Sequence, residues 1–285
     1  MQKEQNLSYD GFRSVLLLGE ADFSFTAAFA LMAQASRKNI DGGTSGNNDA
    51  APTSTTATLR YKMHPKLQIT ATEYGDANDI ANRYFDGTIN ALNQKMSTLF
   101  SLEHVQDVIC GLNARNLSVL STKDLTKLNG SNCYRWDAMQ HQFNTEQSPF
   151  WRASSGIEPT RQYYDLIIFN FPHSNQAGRA SKLVRALFKQ LQICVRDGRL
   201  PSTIILEMRL RIHQKKNIRT LYDHEAAAKL SGFECIGCWE SDLKVWNSVG
   251  YNHKWTRKNE SCRDMVDNCQ VLRWTPVHRE AVTDT

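Results

Sequence analysis

Two loops in this chain carry residue types that bind nucleoside-like ligands. The first follows an apolar run at residues 15–18 and has the sequence Gly-Glu-Ala-Asp-Phe-Ser. Its glycine lets the backbone bend, and its aspartate or serine can cap the helix predicted at 25–32. Because backbone amides are free at a helix start, the loop favours an anionic or hydrogen-bond-accepting ligand group. The candidate ligand-binding residues here are Gly19, Glu20, Ala21, Asp22 and Ser24.

The second loop follows another apolar run and has the sequence Asn170-Phe171-Pro172-His173. Asparagine offers a donor and an acceptor to the flat edge of a base, phenylalanine offers a stacking face, and proline stiffens the turn. His173 either moves a proton at neutral pH or forms hydrogen bonds, for example to a phosphate. These four residues form the candidate catalytic group.

The elements that position these loops alternate between strands and helices from residue 15 to about residue 240. Strands are predicted at 15–18, 67–74, 105–112, 165–170, 203–208 and 233–239, with 270–274 antiparallel to the last of them. Further helices are predicted at 78–100, 181–195 and 224–230. The alternation is typical of a doubly wound α/β fold, in which helices cover both faces of a mostly parallel sheet.

In such sheets ligands bind beyond the carboxyl ends of the strands, so four loops are expected to converge there. Residues 73–76 and 113–116 supply the other two loops. Glu73, at the end of the second strand, either accepts hydrogen bonds from two ribose hydroxyls or is a surface acid. The convergence predicts a site for a nucleoside-containing cofactor.

A single domain with a core at about residues 13–276 is expected to carry two insertions. Residues 39–58 are rich in Gly, Ser, Thr, Asn and Ala, which predicts a flexible segment. Residues 132–160 hold Trp136, Phe143, Phe150 and Trp151 among polar residues, which favours a lid or a packed satellite.

The composition is that of a soluble globular protein, with 41% hydrophobic and 22% charged residues among 285. No apolar run approaches the roughly 20 residues needed to span a bilayer, and the N-terminus is not signal-like, so no membrane partner is expected. Seven scattered cysteines favour a reducing, intracellular compartment. Cys235 and Cys238 have the spacing of half a zinc site without a second half, so no metal is expected.

Net charge is +5, which permits an anionic partner. A basic run follows the strand at 203–208 and either neutralises RNA phosphates or forms a solvated loop. Its candidate RNA-binding residues are Arg209, Arg211, Lys215 and Lys216.

The chain resembles the eukaryotic Rossmann-like methyltransferases that modify uridine N3 in large-subunit ribosomal RNA. The resemblance is carried by residues 18–25, by residues 168–173 and by a late motif, Gly-Tyr-Asn-His-Lys, at 250–254. It implies an S-adenosylmethionine-dependent enzyme of the class I methyltransferase type, with a Rossmann-like seven-stranded sheet whose last strand is antiparallel. It further implies action on ribosomal RNA or a pre-ribosome, for which the nucleus or nucleolus is the favoured location and the cytoplasm or mitochondrion the alternative. The sequence leaves the oligomeric state open, with a monomer favoured.

The resemblance also implies roles for matching residues. The first loop matches the cofactor loop, Glu73 matches the ribose-binding acid, and the loop beginning at Asn170 matches the loop beside the methyl-transfer site. Tyr251, His253 and Lys254 match the late motif, either as RNA contacts or as a structural turn.

Three positions depart from the family pattern. Ala21 replaces a glycine, and alanine costs roughly 1–2 kcal/mol if that position requires a positive φ. Asn113 replaces an aspartate, although its amide oxygen can still accept from an adenine amine. Residues 174–177 replace the glycines that commonly follow the Pro-His pair.

The implied reaction is an in-line methyl transfer, for which alignment and exclusion of water are the main needs. We hypothesise that Asn170 and the Phe171-Pro172 backbone orient the pyrimidine, while His173 or water accepts the N3 proton. Two other functions compete with this one. A non-catalytic ribosome-assembly or RNA-binding factor would explain Ala21 and Asn113. A nicotinamide-dependent oxidoreductase is disfavoured, because this chain lacks the spaced glycines that let a pyrophosphate lie against the helix.

Overall fold

The structure, a computed structural model, describes residues 7–41, 61–115, 117, 134–137, 142–143, 164–172, 179–211, 223–240, 243–251 and 269–277. Its strands are β1 (Ser14–Leu18), β2 (Gln68–Glu73), β3 (Val105–Cys110), β4 (Tyr134–Asp137), β5 (Gln142–Phe143), β6 (Leu166–Asn170), β7 (Ile205–Arg211), β8 (Phe233–Glu240) and β9 (Cys269–Pro276). Its helices are α1 (Ser24–Asp41), α2 (Ala77–Tyr84), α3 (Ile89–Phe100), α4 (Arg179–Arg196), α5 (His224–Leu230) and α6 (Leu243–Ser248).

The described strands form one sheet in the order β5-β4-β3-β2-β1-β6-β7-β9-β8. Strands β1, β2, β3, β6 and β7 are mutually parallel, whereas β9 is antiparallel to both β7 and β8. These seven strands confirm the predicted α/β sheet with its antiparallel last strand. Strands β4 and β5, from the second insertion, extend the sheet beyond β3 and were not assigned from the sequence. β4 is antiparallel to β3, and β5 is antiparallel to β4.

Both faces of the sheet are covered, which explains why β1 is apolar at almost every position. Val15 and Leu17 pack in a cluster with side chains of α1, α2, α3 and α6. Leu16 and Leu18 pack in a second cluster with α4 and α5. A strand buried on both faces is expected to be continuously apolar rather than alternating.

The single helix predicted at 78–100 is wrong, because the chain forms α2 and α3 with a turn between them. Asp86 and Gly87 in that turn have φ values of 52° and 75°. Left-handed residues cannot continue a right-handed helix, so α2 ends at this point. Each of the two helices buries apolar side chains: Tyr84 is buried in α2 and Met96 in α3.

A buried ion network joins β7 to β9 on the face that α1 and α6 cover. Glu207 is fully buried, and its Oε1 accepts hydrogen bonds from Arg209 Nη1 and from the hydroxyl of Tyr9, both at 2.8 Å. Its Oε2 accepts from Arg273 Nε at 2.8 Å. One buried carboxylate therefore pairs with two guanidinium groups in the core.

Aromatic rings surround this network. The Arg209 guanidinium lies 5.0 Å from the ring centroid of Phe25 and 5.5 Å from that of Trp246. The Arg273 guanidinium lies 4.9 Å from the ring centroid of Tyr9. Cation–π attraction is strongest where water is excluded, so these rings stabilise the buried cations.

Removal of the Glu207 carboxylate tests this arrangement. In a Glu207→Ala variant two buried guanidinium groups lose their counter-charge, so we expect the free energy of unfolding to fall by about 3–5 kcal/mol. Urea denaturation monitored by tryptophan fluorescence measures the change. Glu234→Ala, at an exposed acid on β8, is the control. A loss no greater than that of the control would contradict a structural role for the network.

Candidate functional site

The loop after β1 is held against the carboxyl end of β2. Glu73 Oε2 accepts a hydrogen bond from the backbone N–H of Ala21 at 2.9 Å, and the N–H of Glu20 donates to the Thr72 carbonyl at 3.0 Å. Burial raises the pKa of the Glu73 carboxyl above its ordinary value, and the backbone N–H groups of Ala21 and Tyr74 oppose that rise. The alternative interpretation of Glu73 as an exposed surface acid is therefore wrong.

The same loop requires unusual backbone conformations. Gly19, Ala21 and Phe23 have φ values of 68°, 54° and 58°. A Cβ atom at Gly19 would also lie 3.0 Å from a ring carbon of Phe169 on β6, so this glycine is needed for both conformation and contact. The position of Ala21 does require a positive φ, so the alanine side chain there costs roughly 1–2 kcal/mol relative to glycine.

The start of α1 is capped by the chain itself. Glu20 Oε2 accepts from both the N–H and the Oγ1 of Thr26, each at 2.9 Å. Asp22 Oδ1 accepts from the N–H of Ser24 at 3.1 Å. The expectation of free amides at this helix start is therefore wrong for residues 24 and 26. Glu20 and Asp22 instead supply the acceptors that those amides need.

Glu20 carries a perturbed carboxyl group. Burial raises its pKa from the ordinary value of 4.5 to about 8, although hydrogen bonds from Thr26 oppose the shift. The nearby carboxylates of Asp22 and Glu73 act in the same direction as burial. Three acidic side chains thus share the end of β1 and β2, and like charges in a desolvated site favour protonation of one of them.

The third loop joins the first two through backbone contacts. The N–H of Leu112 donates to the Glu73 carbonyl at 3.0 Å, and that of Gly111 donates to the Gly75 carbonyl at 2.8 Å. Half-buried Asn113 uses Oδ1 to accept from the N–H of Arg115 at 2.9 Å. A carbonyl oxygen has two lone pairs, so the oxygen predicted to face an adenine amine retains one further acceptor position.

Asn170 lies at the end of β6, beside the loop that begins at Gly19. Its Oδ1 accepts from Arg209 Nη1 at 3.1 Å, while its Nδ2 is buried and has no hydrogen-bond partner among the described residues. Leu18 and Phe169 are register partners in the β1–β6 ladder. The candidate cofactor loop and the candidate catalytic loop therefore begin on adjacent strands.

Phe171 does not offer the predicted stacking face. Its φ is 49°, its ring is only 5% exposed, and it belongs to the cluster that contains Phe25. Its N–H donates to the Arg209 carbonyl at 2.9 Å, which holds the turn against β7. Pro172 is buried beside it, and His173 lies outside the described residues.

Two predicted RNA contacts are wrong because their side chains are in the core. Arg209 is fully buried in the ion network. Tyr251 is 6% exposed, with its ring centroid 5.2 Å from that of Phe25, and burial raises its pKa well above the ordinary value. A side chain without solvent exposure cannot reach an RNA phosphate.

The other RNA-contact predictions stay predictions. Arg211 pairs with Cys269 in the β7–β9 ladder, but its side chain is outside the description. Lys215, Lys216, His253 and Lys254 lie outside the described residues altogether.

The sequence reading missed Glu207, Arg273 and Tyr9. A signal for the first was present, because charged residues at 207, 209 and 211 alternate with apolar ones along β7. Such alternation usually marks a solvated face. Here α1 and α6 cover that face at residues 207 and 209, so Glu207 and Arg209 are buried and pair with each other.

The part of the chain that the structure describes contains neither a cluster of metal-ligating side chains nor a helix suited to cross a bilayer. No group of three or more His, Cys, Asp or Glu side chains in it is placed to hold a metal ion. Cys235 and Cys238 are exposed on β8. Among the described helices, none combines the length and apolar character that a bilayer crossing requires.

Comparison with known proteins gives one family match. The model of the BMT5-like family, described as rRNA (uridine-N3-)-methyltransferase BTM5-like, matches residues 16–255. No curated protein matches the sequence.

The solved structures that this chain matches are distant in sequence. One is the 16S rRNA (adenine(1408)-N(1))-methyltransferase from Catenulisporales acidiphilia, at a TM-score of 0.42 and 8% identity over 94% of this chain and 89% of that one. Another is the 16S rRNA methyltransferase KamB, at 0.41 and 11% identity over 95% and 89%. A TehB-like SAM-dependent methyltransferase from Corynebacterium glutamicum has a TM-score of 0.37 and 7% identity over 93% and 80%.

Backbone strain at Ala21 predicts an unusual response to glycine. An Ala21→Gly variant relieves the positive-φ penalty but adds freedom to the unfolded chain, so we expect a net stabilisation of about 0.5–1 kcal/mol. Chemical denaturation measures it. Ala27→Gly, in the interior of α1, should instead destabilise by about 1 kcal/mol. Equal losses in both variants would contradict the strain at Ala21.

The raised pKa of Glu20 predicts a dependence of stability on pH. Between its ordinary pKa of 4.5 and about 8, the folded state retains a proton that the unfolded state releases. The contribution of Glu20 to stability is thus fully present below the lower value and is lost as pH rises through the upper one. Glutamine keeps an acceptor for Thr26 and cannot ionise, so Glu20→Gln should weaken this decline.

The measurement is urea denaturation of both proteins at a series of pH values from about 4 to 9, which brackets both pKa values. Glu234→Gln, at an exposed acid, serves as the control and should follow the wild-type curve. Parallel curves for the wild type and Glu20→Gln would show that Glu20 titrates normally.

Proposed function

The chain belongs to the BMT5-like family of rRNA (uridine-N3-)-methyltransferases, and from that premise we propose how its converging loops perform the reaction. It is an S-adenosylmethionine-dependent rRNA methyltransferase. We propose that the loops after β1, β2 and β3 hold the methyl donor, that the loop after β6 holds the target uridine, and that N3 receives the methyl group. The observation that supports this division is the adjacency of β1 and β6, which brings Gly19 against Phe169.

The residues at the ends of β1, β2 and β3 fit an adenosine-containing cofactor. Glu73 is a buried acid at a strand end, in contact with the glycine loop, and a carboxylate in that place can accept from ribose hydroxyls. Asn113 at the end of β3 keeps an acceptor position for an adenine amine. Gly19 leaves no side chain between the loop and Phe169.

When bound, S-adenosylmethionine supplies a methyl group on a sulfonium, which an aligned nucleophile can accept. The chain contributes positioning, because an in-line displacement gains most from holding the reacting groups in one orientation. Asn170 and the backbone of the Phe171 turn are tied to β7 by hydrogen bonds to Arg209. A uridine held against this turn would meet a rigid surface rather than a mobile loop.

Uridine N3 carries a proton that must leave before or during transfer, since the protonated imide is a poor nucleophile. His173, which follows the turn in sequence, stays the predicted proton acceptor, with water as the alternative. N3 is also a base-pairing atom. We therefore propose that the target uridine is unpaired when it is modified, in a loop or in an immature pre-ribosomal RNA.

Nucleotide mapping tests the function. Ribosomal RNA from cells with and without the protein is compared for N3-methyluridine, and we expect one modified position to disappear in its absence. Re-expression of the wild type should restore that position. Unchanged RNA, together with no heat of binding when S-adenosylmethionine is titrated into folded protein, would instead support a non-catalytic RNA-binding factor.

The role of Glu73 gives a sharper test of the cofactor site. A Glu73→Ala variant should bind S-adenosylmethionine at least about tenfold more weakly, because the ribose hydroxyls lose their hydrogen bonds to the carboxylate. Isothermal titration calorimetry measures the affinity, and circular dichroism checks that the variant is folded. Glu225→Ala, at an exposed acid on α5, should retain wild-type affinity. Wild-type affinity in Glu73→Ala would remove Glu73 from the cofactor site.

A further inference from the structure

The amide of Asn170 has a defined orientation. Arg209 Nη1 lies 3.1 Å from Asn170 Oδ1, and a guanidinium can only donate hydrogen bonds. The amide oxygen must therefore face Arg209, and the amide nitrogen must face away from it. Asn170 is 7% exposed, so little room remains for the amide to rotate.

The nitrogen that faces away has no partner among the described residues. Asn170 Nδ2 is buried, and no described residue accepts a hydrogen bond from it. A buried donor left unsatisfied costs about 1–3 kcal/mol, and such groups are rare in native proteins outside functional sites. Its place at the carboxyl end of β6, in the predicted catalytic loop, indicates that a ligand supplies the acceptor.

Arg209 is itself held rigidly. Its side chain is fully buried, and Nη1 also donates to Glu207 Oε1 at 2.8 Å. Nη2 donates to the Tyr9 hydroxyl at 3.1 Å. The Glu207 carboxylate thus fixes Arg209, and Arg209 in turn fixes the amide of Asn170.

We infer that Arg209 is a positioning residue that presents Asn170 Nδ2 as a hydrogen-bond donor to a carbonyl oxygen adjacent to N3 of the target uridine. This inference rests on the proposed function and names a specificity determinant for it. Uracil carries a carbonyl oxygen on each side of N3. As N3 loses its proton, negative charge spreads onto those oxygens, and a fixed donor there stabilises the developing anion.

The same orientation disfavours amino groups. Adenine carries an amino group beside its N1, and that group is a donor. A donor on the base would meet a donor on Asn170, whose own oxygen is occupied by Arg209. The buried network therefore selects a base with a carbonyl group beside the reacting nitrogen.

Two arginines on the same carboxylate offer a matched comparison. Arg209 and Arg273 both pair with Glu207 and are both buried, but among the described residues only Arg209 contacts Asn170. Arg209→Met and Arg273→Met each remove one of the two cations. Both variants therefore weaken the core in a similar way, and they differ in whether the Asn170 amide stays oriented.

The experiment measures steady-state methyl transfer by the full chain, with ribosomal RNA purified from cells that lack the protein as substrate. Asn170→Asp keeps the shape and an acceptor for Arg209 but removes the donor, so kcat/KM for RNA should fall about 100-fold. Arg209→Met should lower it about tenfold more than Arg273→Met, after correction for the folded fraction. The loss should appear in kcat, with the KM for S-adenosylmethionine unchanged.

Two further variants separate positioning from folding. Arg209→Lys retains a donor for Asn170 and a charge for Glu207, so it should recover part of the activity that Arg209→Met loses. The double variant Asn170→Asp/Arg209→Met should be little worse than Asn170→Asp alone, because the two residues act through one hydrogen bond.

The outcomes distinguish this inference from the function on which it rests. Equal losses in Arg209→Met and Arg273→Met, or full activity in Asn170→Asp, would overturn the inference while leaving an active wild-type enzyme. A wild type that methylates no uridine in this RNA would overturn the proposed function and the inference together.

Discussion

A carboxylate removed from water must be neutralised, and the burial of Glu207 is the constraint on which much of this structure depends. Its two oxygens bind Arg209 on the same strand and Arg273 on the neighbouring strand β9, which runs in the opposite direction. Tyr9, near the other end of the chain, donates to the same carboxylate. These contacts tie the N-terminal segment to β7 and β9 and add to the backbone ladder that already joins the two strands.

That constraint extends to the site through the strand beside β7. Arg209 donates to Asn170 from its side chain and accepts from Phe171 through its carbonyl oxygen. The positive φ of Phe171 is a strained conformation that needs such support to persist. Arg209 in the core thus stabilises the turn that is expected to hold a base. Substitutions in the core and substitutions in the turn are therefore energetically coupled.

The sequence was sufficient to predict what depends on local pattern. The apolar run of β1, the acid ending β2 and Asn170 ending β6 were placed correctly, because strand periodicity and strand ends are local signals. Burial of Arg209 was not predictable in this way. It depends on Tyr9, which is 200 residues distant, and on Trp246, so a basic strand end was interpreted as an RNA contact.

The alanine at position 21, where the family has glycine, is the strongest sequence argument for a decayed cofactor site. The structure weakens that argument. Ala21 adopts a positive φ, the conformation that the family's glycine would adopt without strain, and its N–H is bound by Glu73. A charge-assisted hydrogen bond of this kind offsets a strain of roughly 1–2 kcal/mol. The loop therefore keeps its shape despite the methyl group. Loss of cofactor binding does not follow from this substitution, whereas loss of Glu73 would remove both the support and the acid.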